Sequence, residues 1–450
     1  MSVQIPDNHT TSSPHIVIVN LHSTANAGDH VLFKVLFDHL RCRVPHGRFT
    51  LIANDPSSFR PYADQAQVLP SFFAWLKQTR RERPWVSWMG QAVLGAITVV
   101  LDGWLSARGN AKLGPMPDPV LRDIAKAYRQ AQWVISCPGN FIYSRAHLAG
   151  LPILGPLSLL FLAHWYRKPL ELAPQTIGPL WRGWERWLVA WVLRHAQRIL
   201  LRDPVSVELV KALGVPPARY RLVPDLAFLY READQDGAER LWARLGVADT
   251  TQGPRLGMTL LNWGAQHPRF RGQEAYEQGM ASLASTFLDD HPQGQVFLFP
   301  QVCGPTWADD DRIPARRVWE QVRSHPRGSQ VYLIDAPQPP AVLRAAYHTM
   351  DLFVGSRLHS NIFALTGGVP VIAVAYQDKT FGVMRMLGLE EWTVAIEEVD
   401  GDLLIRRYRR LWPERHRWRQ KIQQAVSECV ADLEHALDCL LAPSNEKEHL

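Results

Sequence analysis

The sequence predicts an α/β protein in which two parallel sheets, one in each of two domains, face each other across a cleft. The chain has 450 residues, which at about 150 residues per domain is enough for two or three domains. Apolar residues make up 46% of the chain, so each domain can bury a large core. Short β-branched runs alternate with amphipathic segments on both sides of one polar stretch near Pro224–Gly253, which is typical of doubly wound sheets.

The first element is HIVIVN (residues 15–20), a β-branched run typical of a buried strand. The turn LHSTANAGDH and the helical pattern VLFKVLFDHLR follow it. Further strands are predicted in RFTLIAN, QWVISC and LELAPQT, with a buried helix in LPILGPLSLLFLAHWYRKP. QRILLRDPVSVELVKALG repeats strand, turn and helix, and Gly214 ends that helix. Residues 15–224 are therefore predicted to form an N-terminal Rossmann-like domain, interrupted by an apolar insert near 70–115.

The second half repeats this alternation after a predicted linker at 225–253. Its strands are predicted in RLGMTLLNW, QVFLFPQV, QVYLID, DLFVGS and VPVIAVAY. Residues 254–400 thus form a C-terminal Rossmann-like domain, and 401–450 form C-terminal helices with a basic, solvated face. Ligands of such sheets bind at the carboxyl ends of the strands. The turns that follow strands are therefore where functional residues are expected.

Composition excludes several classes of protein. The 49 Lys and Arg residues exceed the 43 Asp and Glu residues by only six, and no nucleic-acid-binding motif is present, so no nucleic-acid partner is expected. The five scattered cysteines disfavour a disulfide scaffold and a Cys-rich zinc site. The acidic run Asp309–Asp311 is expected to be solvated, and neither a metal nor a cofactor is assigned. The N-terminus lacks the pattern of a signal peptide, which predicts a cytoplasmic protein.

Two tryptophan-rich segments suggest contact with a membrane. WVSWMGQAVLGAITVVL (85–101) is uncharged and follows a basic run, but it is short for a membrane span. The four residues Trp181, Trp184, Trp187 and Trp191 share one helical face with arginines between them. Such a face suits a helix lying in the membrane interface, and packing into the core accounts for it equally well. We expect a peripheral, non-spanning association with the inner face of the cell membrane.

The turns of the second half carry the strongest candidates. A strand ends at Gly355–Ser356, and Arg357 and His359 follow at the start of the next helix. The helix N-terminus and the Arg357 guanidinium attract an anion, and His359 can transfer a proton. Tyr376 and Lys379 follow the next strand and are expected in the same cleft.

The first half offers Arg202 after another strand. This turn either serves only to cap the next helix, through Asp203 or Ser206, or supplies Arg202 as the second arm of an anion clamp across the cleft. Asn26 and Asp29 follow the first strand, together with the single glycine Gly28. One glycine falls short of G-x-G-x-x-G, so no dinucleotide site is predicted. Asp29 either caps the helix or acts as a hydroxyl partner or base.

Three further candidates lie in the first half. Gly139 and Asn140 are predicted to form a tight turn, and Gln175 in APQTIGPL is predicted to lie past a strand and to reach the cleft.

The segment GSRLHSNIFALTGGVPVIAVAYQDKTFGVMRMLGL resembles the signature of the polysaccharide pyruvyl transferase family. NLHSTANAGDHVL, PGNFIYS, APQTIGPL, LLRDPVSVELVKALGV and VPDLAF occur in the family's order. The resemblance implies a GT-B-like fold and transfer of pyruvate from phosphoenolpyruvate, as a ketal, to a sugar of a surface polysaccharide or its lipid-linked precursor. It also implies that the family's donor-binding positions correspond to Arg202, Arg357, Leu358 and His359.

On this hypothesis His359 is the acid/base, Arg357 and Arg202 hold the donor, and Asp29 orients the acceptor or acts as a base. The chain departs from the family where Cys137-Pro138-Gly139-Asn140 replaces a run of glycines, which makes close approach of the backbone harder. Two other hypotheses remain at this point. One is a GT-B glycosyltransferase that uses a nucleotide sugar, and the other is a non-catalytic, membrane-associated subunit of a polysaccharide-assembly complex.

Overall fold

The computed structural model describes residues 13–24, 26–81, 85–108, 116, 118–144, 150–247, 253–267, 270–304 and 306–442. Within these residues the strands form two sheets, and every strand pair in both sheets is parallel. Helices cover the sheets, as parallel sheets require because both of their faces are apolar.

The first sheet has eight strands in the order β3-β2-β1-β4-β6-β7-β8, with β5 paired to β6. The strand predicted at 15–20 is β1, and all seven of its residues are buried because it lies in the centre of the sheet. The bounds are β1 His15–Leu21, β2 Arg48–Ala53, β3 Gln67–Pro70, β4 Trp133–Ser136, β5 Gly139–Ile142, β6 Leu170–Ile177, β7 Arg198–Leu201 and β8 Tyr220–Leu222.

In the described part of the first domain, seven α-helices accompany the sheet. Two of them, α2 and α3, occupy the apolar insert predicted near 70–115. The bounds are α1 Ala27–Arg43, α2 Phe72–Arg81, α3 Trp85–Ser106, α4 Pro119–Gln130, α5 Leu154–Trp165, α6 Gly183–His195 and α7 Pro204–Ala212. None of the helices in the described part of the chain is long and apolar enough to cross a membrane.

The second sheet has six strands in the order β11-β10-β9-β12-β13-β14. Counted along the chain, this is the order 3-2-1-4-5-6 of a Rossmann domain. The bounds are β9 Arg255–Thr259, β10 Gln295–Phe299, β11 Val331–Leu333, β12 Leu352–Gly355, β13 Val371–Ala375 and β14 Thr393–Ala395.

Eight α-helices follow the first domain among the residues that the structure describes. The stretch 225–253, expected as a linker, contains α8, which packs against α12 of the second domain. The bounds are α8 Gln235–Leu245, α9 Trp263–Gln266, α10 Gln273–Asp290, α11 Arg312–Val322, α12 Pro340–His348, α13 Leu358–Thr366, α14 Asp378–Met386 and α15 Gly401–Asp438.

The last helix, α15, connects the two domains. It packs against α10 and α13 of the second domain, and its C-terminal end returns to the first. Arg221 pairs with Asp432 there, and the backbone N–H of Leu441 donates to the buried Glu171 carboxylate at 3.0 Å. The chain therefore joins its two domains twice, once after β8 and once through the end of α15.

Candidate functional site

The site lies where the carboxyl edges of the two sheets meet. In each sheet the strand order reverses, between β1 and β4 in the first and between β9 and β12 in the second. The loops diverge at such a reversal and leave a crevice that binds ligands. Helices α1 and α13 begin at these two reversals and bring their first turns together.

The first turn of α1 is capped by Asn26, not by Asp29. The Asn26 Oδ1 accepts the backbone N–H groups of Gly28 at 3.0 Å and of Asp29 at 3.4 Å, which satisfies two donors of the helix end. The capping alternative for Asp29 is therefore wrong. Its carboxyl is available for another role, whereas the Oδ1 of Asn26, predicted to bind substrate, is already used.

Gly28 and His359 form the contact between the two helix starts. A Cβ atom built on Gly28 would lie 2.1 Å from the His359 Nδ1, a distance that no real side chain tolerates. The imidazole thus packs directly on the backbone of the opposite domain. Glycine at position 28 is required by this close approach, which explains it without a dinucleotide motif.

The His359 imidazole is held in its neutral form. Burial, Arg202 and Lys379 together lower its pKa to about 4, against the opposing effect of Asp225. Its Nε2 lies 3.8 Å from the Asp225 Oδ1, beyond hydrogen-bond length. This nitrogen is buried and has no hydrogen-bond partner among the described residues. It therefore has hydrogen-bonding capacity left for a ligand.

Asp225, which begins the connection after β8, pairs with Arg202. The Asp225 Oδ2 accepts from the Arg202 Nη1 at 2.8 Å, and its Oδ1 accepts the backbone N–H of Ala227 at 2.9 Å. Burial would raise the pKa of Asp225, but Arg202 and His359 outweigh it and hold the pKa below its usual value. Arg202 is only 3% exposed and also donates to the Thr176 hydroxyl at 2.9 Å. In this structure Arg202 is paired within its own domain.

Asp29 lies close to cations of both domains. Burial raises the pKa of its carboxyl, and His22, Arg202 and Lys379 act in the opposite direction without cancelling the shift. Because the pKa of Asp29 is raised while that of His359 is lowered, the two groups approach each other's proton affinity. Such a pair is able to exchange roles as proton donor and acceptor.

Arg357 is fixed by Asp311. Its Nη2 donates to the Asp311 Oδ1 at 2.6 Å, and its Nε lies 3.2 Å from both carboxylate oxygens. The carboxylate also accepts the backbone N–H groups of Gln301 and Val302 at 3.2 and 2.9 Å. The expectation that the run Asp309–Asp311 is solvated is wrong for Asp311, which is fully buried because this arginine neutralises it.

Tyr376 and Lys379 follow β13, as predicted, and Lys379 lies in the first turn of α14. Burial would raise the pKa of Tyr376, but Lys379 and Arg357 together lower it. The Tyr376 ring packs against Trp263, with ring centroids 4.8 Å apart. Trp263 follows β9 at the reversal of the second sheet, so an aromatic wall stands beside the cationic groups.

Leu358 is the first residue of α13, and its side chain belongs to the buried core. Any contact it makes with a ligand would therefore come from its backbone N–H at the helix start.

A chain of buried polar side chains lies under the first sheet's reversal. The Ser136 hydroxyl accepts from Asn20 at 3.0 Å and from Gln175 at 2.6 Å. Gln175 lies within β6 and is fully buried, so the prediction that it follows a strand is wrong. It supports the floor of the cleft, and its Oε1 has no partner among the described residues.

Gly139 and Asn140 begin strand β5, so their assignment to a tight turn is wrong; Cys137 and Pro138 connect β4 to β5. Gly139 has a φ of 152°, a value that favours glycine. This one glycine serves the backbone where the family has several. The buried Asn140 Oδ1 has no hydrogen-bond partner within the described residues.

Asp225 and Asp311 were not identified as site residues from the sequence. The first was visible in the motif VPDLAF and the second in the acidic run, but neither pattern indicates the arginine that each carboxylate meets. Those partners are 23 and 46 positions away in the chain. Only the fold brings them together.

The fold is that of a two-domain protein of the GT-B type, and the candidate site lies in its cleft. Two solved structures are similar over nearly their whole length. HepE from Anabaena, in complex with UDP, is 10% identical with a TM-score of 0.54, and the match covers 95% of this chain and 100% of that one. MnaA from S. aureus, also with UDP, is 9% identical with a TM-score of 0.54, covering 96% and 98%. At these identities the likeness concerns the fold.

The sequence model described as "Polysaccharide pyruvyl transferase" matches residues 26–378. The chain therefore belongs to the polysaccharide pyruvyl transferase family and is a transferase. The amylovoran biosynthesis protein AmsJ of Erwinia amylovora is 22% identical over 407 residues, which cover 86% of this chain and 90% of that protein.

Proposed function

We propose that the protein transfers pyruvate from phosphoenolpyruvate to two hydroxyls of one sugar in a surface polysaccharide or its precursor, as a cyclic ketal. The observation that carries this proposal is the contact of His359 with Gly28, which brings the first turns of α1 and α13 together beside Asp29, the next residue of α1. The pKa values of Asp29 and His359 are shifted in opposite directions. Arg202 and Lys379 flank the pair. Titratable groups with environments this different are typical of an acid and a base.

The charges around this pair suit the donor. Phosphoenolpyruvate carries a phosphate and a carboxylate, and Arg202, Arg357 and Lys379 offer cations from both domains. The first turns of α1 and α13 add backbone N–H groups, including that of Leu358, and the positive ends of two helix dipoles.

The reaction begins with transfer of a proton to the methylene carbon of phosphoenolpyruvate. The methylene becomes a methyl group, and C2 becomes an oxocarbenium-like centre. A sugar hydroxyl then adds to C2 and loses its proton. The C2–O bond to phosphate then breaks and inorganic phosphate leaves with the electron pair. The second hydroxyl adds to C2, loses its proton and closes the ketal.

Asp29 and His359 divide the proton transfers. The raised pKa of Asp29 favours the protonated carboxyl that can deliver the first proton, and the neutral His359 can take a proton from an attacking hydroxyl. This assignment gives Asp29 the acid role that sequence reasoning placed on His359. Binding of the anionic donor raises the pKa of His359 and so strengthens it as a base.

We further propose that the acceptor is a lipid-linked saccharide and that transfer takes place at the inner face of the cell membrane. Support comes from helix α6. Trp191 packs against Phe161 with centroids 4.9 Å apart, so core packing accounts for this residue. Trp181, Trp184 and Trp187 of the same segment are exposed, and core packing leaves them unexplained.

Calorimetric titration of the purified protein tests the donor. The ligands are phosphoenolpyruvate, UDP and UDP-glucose, and the variants are Arg357→Ala and Lys379→Ala. Lys211→Ala serves as the matched control because its side chain is 68% exposed on α7. We expect binding of phosphoenolpyruvate that weakens at least about tenfold in Lys379→Ala, since a charge-assisted hydrogen bond contributes about 1.5–3 kcal/mol.

Circular dichroism of each variant separates lost binding from lost folding, a necessary check for Arg357→Ala because it leaves Asp311 buried without its partner. Selective binding of UDP or UDP-glucose would contradict the proposed donor and favour glycosyl transfer. Equal binding of phosphoenolpyruvate by wild type and both cleft variants would place the donor elsewhere.

A further inference from the structure

Helix α3 presents an apolar stripe to solvent. Its exposed side chains include Leu94, Ile97, Leu101 and Trp104, and their spacing of three and four places them on one face of the helix. The opposite face packs on the domain, as the buried Val99 shows. The described side chains of α3 thus form two apolar faces. One face packs against the domain, and the other is exposed to solvent.

A second apolar stretch surrounds the start of α6. Trp181 and Trp187 are 62% and 66% exposed, and Trp184 and the neighbouring Leu151 are also exposed. Ten of the fourteen exposed large hydrophobic side chains in the described residues lie on α2, α3 and the segments that begin α5 and α6. This concentration far exceeds the scattered single residues that are normal on a protein surface.

Two glycines join these stretches into one surface. A Cβ on Gly150 would lie 2.9 Å from the Trp184 ring, and a Cβ on Gly155 would lie 3.1 Å from the ring of the exposed Phe73 in α2. The aromatic rings of α6 and α2 therefore lie over the backbone at the start of α5. Helix α2 in turn contacts α3. We call the exposed apolar side chains of these four helices the aromatic surface.

The charges of the aromatic surface have one sign. Helices α2, α3, α5 and α6 contain two carboxylates in all, Asp102 and Glu185, and both are buried. Lys77 and Arg80 on α2 and Arg108 after α3 are exposed. Arg108 lies over the Trp104 ring with its guanidinium carbon 3.6 Å from the centroid. Exposed cations thus border the apolar side chains, without an exposed carboxylate on these helices.

The aromatic surface adjoins the cleft. Helices α5 and α6 begin after β5 and β6, at the carboxyl edge of the first sheet, and Arg202 lies at the same edge after β7. The exposed first turns of these helices therefore lie at the same edge of the first sheet as the cleft.

We propose that the aromatic surface docks on an anionic lipid bilayer and presents the mouth of the cleft to it. Tryptophan and leucine side chains suit the boundary between headgroups and acyl chains, and exposed Lys and Arg are attracted by the negative potential of anionic lipids. The docking stands independently of the donor proposed above. Its consequence for a lipid-linked acceptor rests on the proposed function.

Vesicle co-sedimentation of the full chain tests the docking. Vesicles of phosphatidylcholine containing phosphatidylglycerol are compared with vesicles of phosphatidylcholine alone. The variants are the double replacement Ile97→Gln with Leu101→Gln, and Trp187→Ser. Trp307→Ser is the matched control, because Trp307 is 68% exposed in the other domain. We expect binding that needs the anionic lipid and falls at least about tenfold in the double variant, since two apolar side chains are lost from the face that enters the bilayer.

Hydrogen exchange of the vesicle-bound wild type should slow in residues 94–104 and 181–187 and stay unchanged in α15. Absence of binding to anionic vesicles, unchanged binding in the variants, or protection confined to α15 would overturn the proposal. So would a shift from dimer to monomer in the variants by light scattering, because the surface would then be an interface between copies. Titration of the same samples with phosphoenolpyruvate does not depend on vesicle binding, so its result reports only on the proposed donor.

Discussion

The two sheets share the central strand order 3-2-1-4 but differ in what their carboxyl edges contain. Under the second edge hydroxyls pair with each other: Thr259 with Ser360 at 2.8 Å, and Tyr276 with Ser356 at 2.6 Å. These bonds fix the start of α13. Under the first edge the Ser136 hydroxyl instead joins two amides, those of Asn20 and Gln175. A buried amide oxygen without a partner among the described residues remains at each edge, the Gln175 Oε1 in the first and the Asn361 Oδ1 in the second.

The two edges also differ in charge. The second domain contributes Arg357, His359 and Lys379, with one carboxylate, Asp311, buried against Arg357. The first domain and the connection after it contribute Asp29, together with Asp225 paired to Arg202. The second edge is therefore the richer in cationic groups, which suit an anion, and the first is the richer in carboxylates, which suit sugar hydroxyls. The opposite pKa shifts of Asp29 and His359 arise where the two edges meet.

Replacement of His359 tests whether the second domain contributes chemistry as well as charge. We expect His359→Ala to lower kcat about 10²–10⁴-fold, the usual range for loss of a positioned acid/base, with the fold retained. Activity is measured with phosphoenolpyruvate and a verified acceptor. His46→Ala, an exposed histidine, is the control, and near-normal turnover in His359→Ala would leave the second domain a binding platform only.

Replacement of Asp225 tests how much the buried pair of Asp225 with Arg202 stabilises the fold. Asp225→Ala leaves Arg202 buried without its carboxylate, and loss of one partner from a buried pair costs about 3–5 kcal/mol. Urea unfolding measures the change in the free energy of unfolding. Glu208→Ala removes a pair whose side chains are both exposed and should cost under about 1 kcal/mol. Equal effects would mean that Arg202 is not held by Asp225.

The pH dependence of the free energy of unfolding tests whether the contact between the domains holds His359 neutral. The folded-state pKa of His359 is about 4 against an ordinary value of 6.5, so the unfolded chain binds this proton first as the pH falls. The neutral imidazole therefore contributes about 3 kcal/mol to the free energy of unfolding. This contribution is fully present above about pH 6.5 and is lost as the pH falls through 4. His359→Gln should therefore lose less stability between pH 7 and 4 than the wild type. Identical acid slopes would show that the contact does not hold His359 neutral.

Enlargement of Gly28 disturbs the same contact by volume instead of charge. We expect Gly28→Ala to displace His359 at a cost of about 1–3 kcal/mol, seen as a lower kcat and a lower unfolding free energy. Gly183→Ala is the matched control, since a Cβ there meets nothing within 4 Å. A fully active Gly28→Ala would mean that the domains move apart freely at this point.

The site residues that sequence reasoning found are those that follow strands. Arg357 and His359, Tyr376 and Lys379 come after β12 and β13, and the strands themselves are visible as apolar runs. The pattern of a strand followed by a helix start fixes such positions locally. Gln175 was misplaced because the stretch Pro174–Thr176, a proline followed by two polar residues, does not show that the strand continues to Ile177.

Contacts between residues that are far apart in the chain could not be predicted from the sequence. Asp311 was expected in solvent because neighbouring acidic residues usually are, and its burial depends on an arginine of another strand end. The choice between Asn26 and Asp29 as helix cap depends on the backbone angles of the turn. The tryptophans of α6 likewise share one face by spacing, but only packing on α5 decides which of them is covered.

The return of α15 to the first domain restricts how the cleft can open. A single connection allows one domain to rotate about the other in any direction, whereas two connections limit the motion to bending about the line that joins them. The pairs at the end of α15 are partly exposed, so each contributes little and salt weakens it. A cleft that opens by bending realigns Gly28 with His359 each time it closes, and truncation before Asp432 would add a twisting motion that misaligns them.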